Sequence, residues 1–290
     1  MCLKEQQPSL NIDEQITNLK SKGLLIPDED YAKSMLNDIS YFRIIKAYSL
    51  GLKHKNGDYF ENISFNDIID LYLFDSNFRQ LLFPFIEKVE INLRCRLSNY
   101  FCGKYGVLGY EDINNFKIPA GIFSVFFEEM QKEIIRNSRS PFIKNFQDNY
   151  TGGKIPLYAL VEISSFGTLS KFYKNMKNED KKAVAKTFGT GYTYFESWVE
   201  SIAFVRNICA HYGRLYNAKL PKSPALYKQY SELGIGNNRV FSTLICLKHL
   251  LPDDRHWDAF IENISNLLYK YPSVDKSKIG FIETWEDVLK

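Results

Sequence analysis

Along most of the chain the apolar residues recur every third or fourth position rather than every second, so the sequence reads as helices and not as strands. Helices are expected over residues 11–22, 28–37 and 40–48, over a long run 64–105, and then over 120–137, 141–149, 156–177, 178–188, 193–217, 237–250 and 254–271. Several boundaries carry their own punctuation. Asn11 stands where an N-cap belongs and Gly23 where a C-cap belongs. Ser64 with Asp67 forms a near capping box, Gly103 and Gly106 close the long run, and Asp254 stands as the cap of the last long helix. Pro141 and Pro156 sit at helix starts, where the missing N–H costs nothing. Pro84 falls inside the long run and is expected to kink or split it near Phe83. His54 to Tyr59 contains Asn56-Gly57, a signal for a small β-hairpin or a tight loop. The expected fold class is an all-α bundle with additional N-terminal helices and at most that one hairpin. The organisation reads as a small N-terminal helical unit, 1–62, and a larger helical domain, 63–290. No linker rich in Pro, Gly or Ser marks the boundary, so a single domain stays open. There is no internal repeat.

Composition narrows the class. The chain has 290 residues, 45% hydrophobic and 24% charged, enough to bury a sizeable core. Its net charge of +3, from 37 basic and 34 acidic residues, does not describe a surface coated in positive charge. No run approaches the ~18 apolar residues of a membrane span, and residues 1–6 lack the apolar centre of a signal peptide. A cytoplasmic protein with no membrane contact is expected. The cysteines, Cys2, Cys95, Cys102, Cys209 and Cys246, are odd in number and without a framework spacing, which reads as reduced thiols. Cys246, His249 and His256 fall short of a zinc ligand set, and neither metal nor cofactor is expected. Aromatic residues make up 15% of the chain, with 22 Phe and 19 Tyr; rings on this scale serve core packing first and base stacking second. Glycine-rich phosphate loops, a G-x-S-x-G elbow and H-E-x-x-H are all absent, which disfavours ordinary nucleotide enzymes and zinc hydrolases.

The chemistry concentrates in residues 193–220, TYFESWVESIAFVRNICAHYGRLYNAKL. At about 100° per residue, Phe195, Trp198, Val199, Ile202, Val205 and Cys209 form an apolar stripe. Asn207, His211 and Arg214 fall together on another face. Arg206 lies within the stripe, where a guanidinium needs a partner; Glu90 and Glu162 are the first candidates, with Glu87 near by. From Ser201 to Ser231 there is no acid, while Arg206, Arg214, Lys219, Lys222 and Lys228 are interleaved with Tyr212 and Tyr216. Such a stretch can build a local positive field that a near-neutral total conceals. Arg-x4-His suits acid–base cleavage of RNA: histidine moves protons near neutral pH and arginine offsets charge building on a phosphate. Asn207 can fix the imidazole or bind a phosphate oxygen. A helix with a satisfied histidine and a salt-bridged arginine explains the same spacing without catalysis.

RNICAHYGRLYN (206–217) resembles the R-N-x-x-x-H signature of the HEPN superfamily of helical ribonucleases, and most of all the Abi-like abortive-infection proteins of the D and F type. The resemblance extends over LKSKGLLIPDEDYAKSMLNDISYFRI (19–44), LFDSNFRQLLFPFIEKVEINLRCRLSNYFCGKYG (73–106), PLYALVEISSFGTLSKFYKNM (156–176) and FIETWEDVL (281–289). It implies a HEPN-type bundle and metal-independent endoribonuclease activity in phage defence, leaving a 2′,3′-cyclic phosphate. It implies Arg206, Asn207 and His211 as catalytic residues and Glu90, Arg94 and Glu162 as supporting ones. Arg214, Tyr212, Lys219 and Lys222 are candidates for RNA contact. RNA is the implied substrate and a second copy of the chain the implied partner, the two motifs facing each other; an RNA or protein antitoxin is a further partner left open. One departure is that Tyr212-Gly213 follows His211 where a helix former is expected; glycine weakens a helix by about 1 kcal/mol relative to alanine. Two other functions stay open: a catalytically silent RNA-binding module, and a protein-interaction subunit using residues 11–48.

Overall fold

Local capping chemistry sets the first helix of the chain. Asn11 Oδ1 accepts from the Glu14 N–H (2.9 Å) while the Glu14 carboxylate accepts from the Asn11 N–H (2.8 Å), so two N–H groups that a helix start leaves unpaired are satisfied reciprocally. The computed structural model describes residues 9–290, and Cys2 and the rest of the opening segment lie outside the described residues. Among the described residues the chain is all-α. The extended pairings among the described residues are isolated bridges at Leu25 with Ser64, Lys53 with Tyr59, and Phe116 with Met176. Of the small hairpin or tight loop expected at residues 54–59, the chain forms the tight loop, closed by His54 N–H to the Asp58 carbonyl (2.8 Å) with Gly57 at φ 99°.

The chain divides into two compact units. The first holds residues up to Arg79 together with Glu262–Lys276. It contains α1 (Ile12–Ser21) and α2 (Glu29–Asp38), which pack on each other, a short π-helical turn (Phe42–Lys46) and the start of α3 (Phe65–Tyr105). Ser64 and Asp67 form the capping box of α3: the Asp67 carboxylate accepts from the Ser64 N–H (2.8 Å) and Ser64 Oγ from the Asp67 N–H (3.3 Å). Within this unit Asp75, fully buried, accepts from Tyr48 Oη (2.7 Å) and Arg79 Nη1 (2.6 Å).

The second unit is Gln80–Ile261 with Ser277–Lys290. It holds the rest of α3, then α4 (Ala120–Arg136), α5 (Pro141–Asn149), α6 (Leu157–Ile163), α7 (Phe166–Asn175), α8 (Asn178–Lys186), α9 (Tyr192–Ala210), α10 (Lys228–Glu232) and α11 (Val240–Leu250). The long α12 (Trp257–Lys270) crosses the division and α13 (Trp285–Leu289) ends the chain. Helix α9 is central, packed on α7, α8 and α11, and α4 packs on α6 and α7. The aromatic excess goes mainly to this core: Phe101, Phe116, Phe126 and Phe172 meet pairwise at 4.9–5.7 Å. Asp180 is fully buried under Tyr100 Oη (2.7 Å), Tyr105 Oη (2.7 Å) and Lys104 Nζ (2.5 Å). Burial pushes its carboxyl up, and those three donors outweigh burial and hold it below the usual range.

Three expectations about helix ends are corrected. Pro84 does not split α3, which runs unbroken from Phe65 to Tyr105; Leu82, Phe85, Ile86 and Val89 are buried around it, and packing of that face outweighs one missing hydrogen bond. Residues 156–177 are two helices rather than one. Ser165 takes extended backbone (ψ 155°) and its Oγ caps α7 at the Thr168 N–H (3.1 Å), local chemistry by which serine competes with a continuing helix. Asp254 sits three residues ahead of α12, its carboxylate accepting from the His256 N–H (2.9 Å) and from Lys88 Nζ (2.5 Å).

Cys246 is buried and donates from Sγ to the Ser242 carbonyl (3.1 Å). His249 stacks on Trp198 (5.4 Å) and lies 2.7 Å from Tyr230 Oη through Nε2. Burial, and then the Lys248 charge, push the His249 imidazole below its ordinary value of 6.5. The folded chain therefore takes up this proton later than the unfolded chain as pH falls. The stability tied to neutral His249 is complete above about pH 6.5 and is lost as pH falls through and below that value. The thermal midpoint is expected to drop between about pH 7 and 5, with a shallower drop in His249→Gln, which keeps an acceptor for Tyr230. An unchanged slope in the variant would place the effect on another group.

Candidate functional site at the end of helix α9

The predicted stripe of α9 is the buried one: Phe195, Trp198, Val199, Ile202, Val205 and Cys209 all face the core. With that face fixed, Arg206 emerges at its edge with 29% of its side chain exposed, and Asn207 and His211 lie at the surface. Arg206 Nε donates to Glu90 Oε2 (3.2 Å). Glu90 itself is buried, and its other oxygen, Oε1, accepts from Arg94 Nη2 one turn further along α3. Arg94 Nη1 in turn donates to the Val161 carbonyl. Val161 lies in the last turn of α6, where carbonyls lose their helical partners. The break at Ser164-Ser165 is thus what releases this carbonyl to Arg94. One carboxylate ties two arginines together, and the relay joins α6, α3 and α9.

The relay borders a cleft of about 230 Å³. Phe83, Glu87 and Ile91 of α3 line it with Glu90 and Arg94, and Glu162 and Arg206 complete the wall. The sequence offered Glu90 or Glu162 as the partner of Arg206, and Arg94 only as a supporting residue that the resemblance implies; it did not anticipate Phe83, Ile91 or the Val161 carbonyl. Phe83, Glu87 and Ile91 follow one another at four-residue steps on α3, a signal that was readable. Glu162 is brought to the cleft, but Glu90 is the carboxylate that holds Arg206. Among the described residues nothing takes the terminal nitrogens of Arg206, nor the side chains of Asn207 and His211.

Helix α9 ends at Ala210 and not at Asn217 as the periodicity predicted. His211 is the C-cap (φ −103°), and Tyr212 takes a left-handed conformation (φ 56°). Gly213 N–H donates to the Ile208 carbonyl (2.8 Å) and Tyr212 N–H to the Cys209 carbonyl (3.3 Å), the paired bonds of a Schellman stop. A Cβ at Gly213 would lie 3.0 Å from Ile208 Cγ2, so glycine here permits close return of the chain against the helix. Arg214 is therefore off the helix, and its Nη1 donates to the Tyr216 carbonyl (2.7 Å).

Beyond the stop the chain is pinned by Arg239, whose Nη1 donates to Asn217 Oδ1 and the Ala218 carbonyl (both 3.1 Å). Lys219 is exposed. Lys222 pairs with Glu200 (2.9 Å), and Lys174 approaches the same carboxylate at 3.9 Å. The stretch free of acids in sequence is therefore partly neutralised in space. Among the described residues no group of three or more His, Cys, Asp or Glu side chains could hold a metal ion, and no helix is long and apolar enough to cross a membrane.

A model of the Abi-like protein family matches residues 34–217, a span that includes the α3, α6 and α9 parts of the relay and His211. No curated protein and no solved structure matches the chain.

The bridge makes Glu90 more costly to alter than Arg206. Glu90→Gln removes the charge shared by two partly buried guanidinium groups and is expected to lower unfolding stability by about 1.5–3 kcal/mol. Arg206→Ala leaves Glu90 paired with Arg94 and is expected to cost less than half as much. Equal costs in urea titrations would show that Glu90 does not bridge the pair in solution.

Proposed function

The chain belongs to the Abi-like protein family, and from that premise we propose that it is a metal-independent endoribonuclease of an abortive-infection system, of the HEPN type. The observation that carries the reading is the condition of Arg206. Its Nε is fixed by a buried carboxylate while its terminal nitrogens are uncommitted among the described residues, and His211 stands exposed at the end of the same helix. A guanidinium held through one edge is preorganised to receive phosphate oxygens through the other.

The reaction is attack of a ribose 2′-oxygen on the adjacent phosphorus. The 2′-O–P bond forms and the P–O5′ bond breaks, giving a 2′,3′-cyclic phosphate and a 5′-hydroxyl. Arg206 offsets the charge on the non-bridging oxygens. One imidazole removes the 2′-hydroxyl proton and another supplies a proton to the leaving 5′-oxygen. Each chain has one His211, so the pair comes from two copies related by a two-fold axis, the commonest closed symmetry. Asn207, between Arg206 and His211 in the motif, orients the imidazole or a phosphate oxygen.

His211→Ala and Arg206→Ala are each expected to reduce cleavage of total or transfer RNA by about 10²–10⁴-fold, with the wild type active in excess chelator. Equal cutting by wild type and variants would remove the site from the reaction, and tight binding of RNA without product over long incubation would favour a silent binding module. Light scattering is expected to show a dimer; a monomer at high concentration with activity intact would overturn the shared site.

A further inference from the structure

The stop that ends α9 uses a residue poorly suited to it. The left-handed position after a helix C-cap is filled most cheaply by glycine or asparagine, because any larger residue sets its Cβ against its own carbonyl. Here it is Tyr212, at φ 56°. The next residue is a glycine, needed for close return past Ile208, so the chain places its glycine one position beyond the strained one. The strained tyrosine also leaves 69% of its surface in solvent. Such strain concentrates where a side chain has a task. The backbone of Tyr212 is also fixed. Its own N–H and the next one are both bonded back to the last turn of α9, and it follows His211 directly.

We propose that Tyr212 is a base-stacking specificity residue: its ring takes the face of an unpaired nucleobase next to the phosphate that His211 and Arg206 address, which commits the site to single-stranded RNA. This rests on the ribonuclease reading above. A base inside a duplex has both faces covered by its neighbours, whereas an unpaired base offers one to an aromatic side chain at a gain that does not depend on its hydrogen-bonding edge. The preference is accordingly for unpaired over paired RNA, and not for one base. Placing the ring on a rigid helix stop, rather than on a mobile loop, spares the ordering cost when the base arrives.

The test is a cycle between ring and base. The probe is a single-stranded oligoribonucleotide cut by the wild type, with 2-aminopurine beside the mapped scissile phosphate, and a twin carrying an abasic ribose there. Tyr212→Gly suits the backbone conformation, so its melting midpoint is expected to equal or exceed that of the wild type. Base removal is expected to lower wild-type kcat/KM by about tenfold or more. Tyr212→Gly is expected to show that loss already on the intact oligonucleotide and no further loss on the abasic one. Tyr212→Phe keeps wild-type behaviour, and 2-aminopurine fluorescence is quenched on binding to wild type and Phe variant but not to the Gly variant. Tenfold sensitivity to base removal persisting in Tyr212→Gly, or loss in the Phe variant equal to that in the Gly variant, would overturn the proposal. Binding of both oligonucleotides is also measured by anisotropy in a His211→Ala background. If the wild type cuts no RNA, the ribonuclease reading falls, and a dissociation constant that is the same with and without the ring and the base then overturns the stacking proposal separately.

Discussion

The Glu90 carboxylate is the constraint on which the site depends. It is buried and shared between Arg94 and Arg206, and neither arginine could sit where it does without it. A guanidinium at the edge of an apolar helix face is costly when unpaired. Two of them close together would also repel. One carboxylate between them removes both penalties, since each oxygen serves a different arginine. The second terminal nitrogen of Arg94 is taken by a third element, the carbonyl of Val161 in the last turn of α6. The position of Arg206 is thus set by α3 and α6 as much as by α9, which carries it.

Much of this was legible in the sequence. The apolar stripe of α9 could be counted residue by residue, and a guanidinium on that stripe demanded a carboxylate, which restricted the search to few glutamates. The all-α class followed from the same periodicity. The break at Ser164-Ser165 was not legible, because LVEISSFGTL keeps helical spacing through it. The decision between a continuing helix and a serine cap is local hydrogen-bond competition of small magnitude. Yet that break supplies the carbonyl that orients Arg94. At Pro84 the departure runs in the opposite direction: of the kink or split that a proline signals, the split was overridden by the buried residues on either side of it. Periodicity reports which face is buried; it reports poorly where a helix stops.

The end of α9 shows why this matters for chemistry. A helix running to Asn217 would set Asn207, His211 and Arg214 on one face as three cooperating polar groups. The observed stop at Ala210 takes Arg214 off that face. His211 becomes the hinge between helix and return chain, and Arg214 turns inward to the Tyr216 carbonyl. Arg206 and His211 then differ in kind. The arginine is held by a carboxylate from another helix, whereas among the described residues no side chain holds the His211 imidazole, whose backbone N–H donates to the Asn207 carbonyl (3.0 Å). In the proposed reaction, an imidazole that exchanges protons would benefit from that exposure, and a guanidinium that only offsets charge from rigidity.

Charge in sequence and charge in space diverge in the same region. Reading from Ser201 to Ser231 finds bases and no acids, but folding returns Glu200 to Lys222, and the cleft beside Arg206 is walled by Glu87, Glu90 and Glu162. Formal charges along the wall, with Arg94 and Arg206 against three glutamates, do not favour a polyanion lying deep in this cleft. A phosphate would be met instead where Arg206 reaches solvent. Three glutamates lining the cleft beside Arg206 confine attraction to its terminal nitrogens. Direct contact, rather than a long-range field, would then govern affinity, and electrostatic steering, which needs charge of one sign over a wide area, would contribute little. That is the arrangement consistent with a net charge of only +3 in a chain whose proposed substrate is RNA.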